Sequence, residues 1–344
     1  MIKTGQPIQT TGNNLVGLWR PSFVKVDHRL FVYGGGGNVT NDLHVLNLCD
    51  MRWETIQTTK GIPPCKRYGH TATLWKHYIV VFGGCNESQN YCNDIHLFDL
   101  EKLTWFQPEI KGTVQARYLH SAAIYNDKLF IYGGFAKKQD CTYVLDEIAV
   151  LDLNTFSWSI HKGVPPRYNH SATLVGHKMY IYAGKEERGN TVSDLFVVNL
   201  NTPPYTPHPV LVGSQANNNS QMVLLKSQHF CEAICGKLLV FGKYINNNHH
   251  QQRMTAAGES INNNNTPDSV YGLWMLDLDT LEWERQECNV NFETGGWNFF
   301  TVITENIRPN GTSSNDIQSQ VSHNNLFFLG NTDPIRPNGY DHFR

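Results

Sequence analysis

Charge is scarce in this chain of 344 residues: Asp, Glu, Lys and Arg make up 17% of it, and the formal net charge is −2. An ordinary soluble domain carries roughly a quarter charged residues. With no basic stripe there is nothing to meet the phosphates of a nucleic acid or an anionic membrane, so neither is expected as a partner. Long apolar stretches are missing too, since no run of 18 apolar residues occurs. The opening residues, MIKTGQPIQTTGNN, hold neither the basic segment nor the apolar one of a secretion signal, which gives the expectation of a cytoplasmic protein.

Helical periodicity is almost absent, and with it any glycine-rich phosphate loop set between a strand and a helix. Neither GxSxG nor HExxH occurs. The eight cysteines, Cys49, Cys65, Cys85, Cys92, Cys141, Cys231, Cys235 and Cys288, are irregularly spaced in a chain too large to need disulfides. They are expected to be mostly small apolar core residues. Cys231 and Cys235 have no second pair at zinc-finger spacing and are read as structural thiols.

What is present is repetition. RYGHTATLWKHYIVVFGG begins at Arg67, RYLHSAAIYNDKLFIYGG at Arg117 and RYNHSATLVGHKMYIYAG at Arg167, a spacing of about fifty residues. Runs such as Tyr78–Phe82 and Lys128–Tyr132 alternate β-branched and aromatic side chains and stop at a glycine pair, as a buried strand does where it turns. An acid then heads the next apolar strand: Asp42, Asp94, Glu147 and Asp194. Six residues after an Asp or Asn stands a large aromatic, in the pairs Asn47 and Trp53, Asp99 and Trp105, Asp152 and Trp158, Asn199 and Tyr205, Asp277 and Trp283. Four strands per unit are therefore expected.

Two glycines, an acid-headed strand and a late tryptophan in a unit of about fifty residues are the signature of kelch repeats, and the chain resembles that family of β-propellers. The resemblance implies an all-β, six-bladed propeller with four antiparallel strands per blade, at about 19–56, 67–107, 117–160, 167–207, 226–286 and 296–344. The fifth unit is recognised by His229, which precedes Gly242 as His70 precedes Gly83. Polar, Asn-rich insertions at 246–269 and about 305–323 are expected to be surface loops. The last blade is incomplete: Asp341 falls at the head of its third strand and the chain stops at Arg344. Ile2 to Thr10 within the segment 1–18 is the candidate for a strand closing the ring, unless the chain is part of a longer one.

The late tryptophans read as packing between blades. In the resembled family the strand carrying Arg-x-x-His is innermost, which would set Arg67, Arg117 and Arg167 around one mouth of the channel. Beside them stand Tyr68, Tyr118 and Tyr168, with Trp19 and Trp297 at the same station in the first and sixth units. These eight residues are the candidate partner-binding site, because Tyr, Trp and Arg dominate binding hot spots. The alternative for each is structural, with Arg bonding carbonyls of a neighbouring blade and Tyr packed in the ring. His70, His120, His170 and His229 are read as channel-lining side chains, since strands that diverge around a channel do not converge on one ion. No metal or cofactor is expected.

The resemblance implies a non-catalytic scaffold or adaptor for a partner protein or peptide, of cytoskeletal, GTPase-related or ubiquitin-ligase kind. The alternative is a metal-dependent enzyme of the oxidase or nitrile-specifier type. The iron ligands Glu-x-x-x-Asp-x-x-x-His of the latter have no counterpart, as no Glu has an Asp four residues on.

Overall fold

Strands begin wherever a two-residue turn lets the chain fold back. Val26 pairs with Arg29, Trp75 with Tyr78, Tyr125 with Lys128, Val175 with Lys178 and Ile234 with Lys237. The first turn residue has positive φ in every case: Asp27, Lys76, Asn126, Gly176 and Cys235. That is the backbone which matches the right-handed twist of a hairpin. A second device closes the outer hairpin. The Asp99 carboxylate accepts the amides of Glu101 and Lys102 (both 2.9 Å), Asp152 those of Asn154 and Thr155 (both 2.9 Å), and Asp277 those of Asp279 and Thr280 (3.0 and 3.1 Å). The fixed Asp or Asn before each late aromatic is thus an Asx turn.

The computed structural model describes residues 10–13, 19–36, 41–58, 60–139, 141–212, 225–245, 269–286, 297–307 and 321–330. Among these residues six larger antiparallel sheets follow one another along the chain, besides two small ones that hold Arg67–Tyr68 and Arg117–Tyr118. Ser22–Val26, Arg29–Tyr33, Leu43–Asn47 and Arg52–Ile56 form the first, and Thr71–Trp75, Tyr78–Phe82, Ile95–Asp99 and Thr104–Phe106 the second. The third is Ser121–Tyr125, Lys128–Tyr132, Glu147–Asp152 and Ser157–Lys162; the fourth is Ser171–Val175, Lys178–Tyr182, Leu195–Asn199 and Pro207–Pro209. Leu225–Ile234, Lys237–Ile245, Ser269–Asp277 and Trp283–Gln286 make the fifth, and Trp297–Ile307 with Val321–Gly330 the sixth.

Each strand presents alternate residues to its two faces, so each sheet packs on both neighbours. Phe31 and Val45 meet Ile79, Val81 and Trp105; Phe82 and Leu97 meet Leu129 and Leu151; Phe130 and Val150 meet Met179 and Val198. Tyr182 meets Val240 and Leu276, and Phe241 meets Val302 and Phe328. The last cluster returns to the start: Leu30, Val32 and Trp53 pack with Phe299, Ile303 and Phe327, and the Phe23 and Phe299 rings stack at 4.6 Å. The sheets therefore form a ring, a β-propeller, with the first strands of successive sheets side by side around its axis.

The edges of both insertions differ from expectation. Strand pairing runs to Ile245↔Ser269 and Ile307↔Val321, so the ends of both insertions are ladder rather than loop. Backbone hydrogen bonds hold polar residues such as Asn306 and Ser322 there regardless of side chain. Thr11–Gly12 runs parallel to Arg52–Trp53 of the first sheet, as Lys60 does to Thr104 and Lys111 to Ser157. Thr11–Gly12 is thus an edge of the first sheet. Ile2 to Gln9, residues 246–268 and 331–344, with Asp341, and Cys288 lie outside the described residues.

Candidate binding mouth

The heads of the repeats meet at one end of the ring axis, and each residue of Arg-Tyr-x-His does a different job there. The guanidiniums point inward. Arg67 and Arg117 are 1% and 0% exposed and Arg167 only 6%. Arg67 makes a bidentate pair with Asp94, at 2.7 and 2.8 Å, and also donates to the Gly83 carbonyl at 2.9 Å. Arg117 pairs with Glu147 at 2.6 Å and donates to Gly133 at 3.1 Å, while Arg167 pairs with Asp194. Each Arg thus ties the head of its own blade to the acid heading that blade's third strand. Burial alone would raise the Asp94 carboxyl; the bonds from Arg67 and His96 outweigh it and hold the group well below the usual carboxylate range.

The expectation that Arg67, Arg117 and Arg167 offer their forks to a partner is therefore not met. A guanidinium drawn out of water needs a carboxylate and carbonyls to satisfy its donors, and here the blade itself supplies them. Nor do the side chains bridge blades. The bridge is made by the Arg carbonyls, which accept the amides of Gly35, Gly84 and Gly134 of the preceding blade at 2.8, 2.9 and 2.8 Å. These contacts explain the glycine pairs: a Cβ on Gly83, whose φ is +69°, would stand 2.7 Å from the His120 ring and 2.8 Å from the Arg117 carbonyl.

The histidines form the next layer. His70 Nε2 bonds Ser22 at 2.8 Å, His120 bonds Thr71 at 3.0 Å, His170 bonds Ser121 at 2.6 Å and His229 bonds Ser171 at 3.0 Å. Every His reaches the hydroxyl that follows the matching station of the blade before it. Burial, helped by the Arg67 charge, lowers His70 to about 3, and burial does the same to His170. His120 is also lowered well below its ordinary value, first by burial. His70, His120 and His170 are thus neutral rings, and the four histidine bonds join five successive blades.

The third position of the motif closes the mouth. Gly69 N donates to Arg20 O at 3.0 Å, Leu119 N to Gly69 O at 2.8 Å and Asn169 N to Leu119 O at 2.8 Å, and all four residues have positive φ. From this arc Arg20 reaches across the axis to the Asn169 side chain at 2.7 Å. Sequence reasoning missed both residues, because their station is chemically unrelated from repeat to repeat.

The aromatic position forms a continuous packed ladder, open to solvent at one end. Trp19 lies 5.0 Å from Tyr68, Tyr68 6.2 Å from Tyr118, Tyr118 6.0 Å from Phe135, and Phe135 4.9 Å from Tyr168, by ring centroids. Tyr91 joins Tyr118 at 4.7 Å. Trp19 is the open end, 40% exposed, whereas Tyr118 and Tyr168 are almost covered. Four of the candidate aromatics are thus brought together; the Trp297 side chain lies outside the described residues. Phe135 and Tyr91 follow the glycine pairs in loops whose sequences differ between units, which hid them.

Among the described residues, the group with metal-ligand spacing is His77, Asp99 and Glu101, beside the outer hairpin turn of the second sheet. Its Asp99 is already the acceptor of the Asx turn and faces Lys102 at 3.5 Å. No helix of the described residues is long and apolar enough to cross a membrane.

Residues 20–163 match the family described as the KLHDC2/KLHL20/DRC7 Kelch-repeats domain. Among curated relatives, human Kelch domain-containing protein 3 is 33% identical over 105 residues, 26% of this chain and 28% of that protein. The Rho GTPase-activating protein gacHH of Dictyostelium discoideum is 39% identical over 92 residues, 25% of this chain and 6% of that one. Dynein regulatory complex subunit 7 of Chlamydomonas reinhardtii is 33% identical over 119 residues, 33% and 10% of the two. The matches thus span less than a third of these relatives' lengths. The solved structure of YjhT superposes with a TM-score of 0.60 at 13% identity, covering 93% of this chain and 96% of that one, which is a likeness of fold.

Proposed function

Residues 20–163 match a Kelch-repeats family, and on that likeness we propose that the chain is a kelch-repeat protein and a non-catalytic interaction module that docks a segment of a partner protein on the aromatic belt at this mouth. The observation that carries the reading is the ladder from Trp19 through Tyr68 and Tyr118 to Tyr168, exposed at its Trp19 end and rigid beneath. Rings held by packing lose little conformational freedom on binding, so they anchor a partner at low cost. With the three arginines neutralised inside the fold, recognition rests on apolar and aromatic contact more than on acidic groups of the partner. The relatives support a module of this kind, since matching segments occur within a GTPase-activating protein and a dynein regulatory complex subunit. A cytoplasmic setting remains part of the proposal.

The test uses a partner recovered with the full chain and then purified. Trp19→Ala and Tyr68→Ala should each weaken the binary complex by more than about 1 kcal/mol, as hot-spot truncations do. The melting temperature of Trp19→Ala should stay near the parent's, because that ring is partly in water already. Undiminished affinity in both variants would place the docking surface elsewhere, and turnover of a substrate by the purified chain would favour the enzymatic alternative.

A further inference from the structure

Two stations flank the ion pair in every Arg-headed blade: the residue two before the Arg and the residue two before the acid that the Arg grips. In the third blade they hold Gln115 and Leu145, and in the fourth Pro165 and Val192. In the second blade both are cysteines, Cys65 and Cys92. The repeat geometry holds their stations fixed. Cys92 N donates to Gly84 O at 2.8 Å, as Leu145 N does to Gly134 O and Val192 N to Gly184 O, and the Cys92 carbonyl accepts the Arg117 amide at 3.1 Å. Cys65 is held by its carbonyl, which accepts Arg67 Nε at 3.1 Å, and the preceding Pro64 by the Tyr33 hydroxyl at 2.5 Å.

Between the two stations lies one guanidinium. Arg67 Nη2 is 3.2 Å from Cys65 Sγ and 2.8 Å from Asp94 Oδ2. Cys92 stands two residues before Asp94, at the approach to the Ile95–Asp99 strand. Its thiol lies 3.9 Å from the Asn90 carbonyl and interacts with Cys65 beside this guanidinium. Cys65 is exposed and Cys92 half-buried behind it.

We propose that Cys65 and Cys92 are a two-electron redox pair, oxidised to a disulfide by small disulfides of the oxidised-glutathione type. In the first step the Cys65 sulfur attacks one sulfur of the small disulfide; the S–S bond breaks, one small thiol leaves with the Cys65 proton, and a mixed disulfide remains. In the second the Cys92 sulfur attacks Cys65 Sγ, releasing the other small thiol with the Cys92 proton. The protein dithiol gives up two electrons and the oxidant becomes two thiols. Exposure makes Cys65 the point of attack. Burial, with Asp94 and Cys65 adding to it, pushes the Cys92 thiol up to about 12 in the reduced form. The bond would fasten the loop before Arg67 to the loop before Asp94, beside Tyr68 and Tyr91 of the aromatic belt. The inference does not depend on the partner reading.

The experiment equilibrates the intact chain in buffers of rising oxidised-to-reduced glutathione ratio, blocks free thiols by alkylation, and maps peptides by mass spectrometry. A cross-linked peptide joining Cys65 to Cys92, lighter by two hydrogens, should be the dominant linkage, and dithiothreitol should reverse it. In Cys92→Ser the mixed disulfide of Cys65 with glutathione should accumulate about tenfold over wild type, because its resolving thiol is gone. Cys65 and Cys92 alkylating independently at every ratio, or a mixed disulfide at Cys65 no more abundant in Cys92→Ser than in wild type, would overturn the proposal. The wild-type measurement needs no variant to fold.

Discussion

Arg117 sits in the fold with none of its surface in water, and that position makes sense only with Glu147 in place. Removing one partner of a buried pair leaves the other charged and desolvated, which typically costs about 3–5 kcal/mol. Arg117→Ala should therefore lower the urea midpoint steeply, and Arg117→Ala with Glu147→Ala should be less damaging than the sum of the two single changes. Additive losses in that double-mutant cycle would show that the pair is not coupled. A second prediction concerns the glycine that opens each blade-to-blade contact. In the fourth blade the station is Ala183, at φ +56°. A non-glycine residue in the left-handed region costs about 1–2 kcal/mol, less the roughly 0.5–1 kcal/mol of extra chain entropy that glycine loses. Ala183→Gly should leave thermal stability unchanged or slightly raised, while Gly83→Ala, whose Cβ would collide with the next blade, should lower it sharply. Equal effects in both would mean that the contact does not set the residue.

At the scale of the element, a sheet is held to its neighbour by one large ring near its outer edge. Trp105 packs between Tyr33 of the first sheet and Phe98 of its own, at 5.3 and 5.0 Å, and is 3% exposed. Trp158 repeats this against Phe82 at 5.4 Å but is half-exposed. Truncating a buried tryptophan costs about 3–5 kcal/mol. Trp105→Ala should thus destabilise more than Trp158→Ala in a thermal melt, and the reverse order would refute the packing assignment. These elements were legible in the sequence because each signal is local: a glycine pair, an acid and an Asx turn sit within a few residues of the strand they bound. The arginines were not, because their partners lie 27, 30 and 27 residues away, and a side chain at a strand head reads equally well as rim or as fastener. The clue was that each Arg-headed unit also carries an acid heading its third strand. The aromatic ladder was half legible: Trp19, Tyr68, Tyr118 and Tyr168 share one repeat station, whereas Phe135 and Tyr91 come from unlike loops.

For the whole molecule, the histidine layer makes folding a proton-excluding step. His70, His120 and His170 each bond a hydroxyl of the blade before, and so link the first four blades in series. All three are held below their ordinary value, His70 and His170 to about 3. A group with a depressed folded pKa binds its proton more readily when unfolded, so acid pulls the equilibrium towards the unfolded chain. Its stabilising effect is complete above the ordinary value near 6.5 and is lost progressively as pH falls towards 3. Each histidine removes about 1.4 kcal/mol per pH unit inside that window, so three together should remove on the order of 4 kcal/mol per unit. Asp94 adds nothing between pH 7 and 5, because its carboxyl is held below the usual carboxylate range. Urea unfolding at pH 7.5, 6.5 and 5.5 should show little change over the first interval and a steep fall over the second. In His170→Gln, which keeps a donor for Ser121 but cannot titrate, the slope should drop by about one proton. A stability that stays level from pH 7.5 to 5.5 would mean that the histidines carry protons inside the ring, and the neutral relay between blades would have to be abandoned.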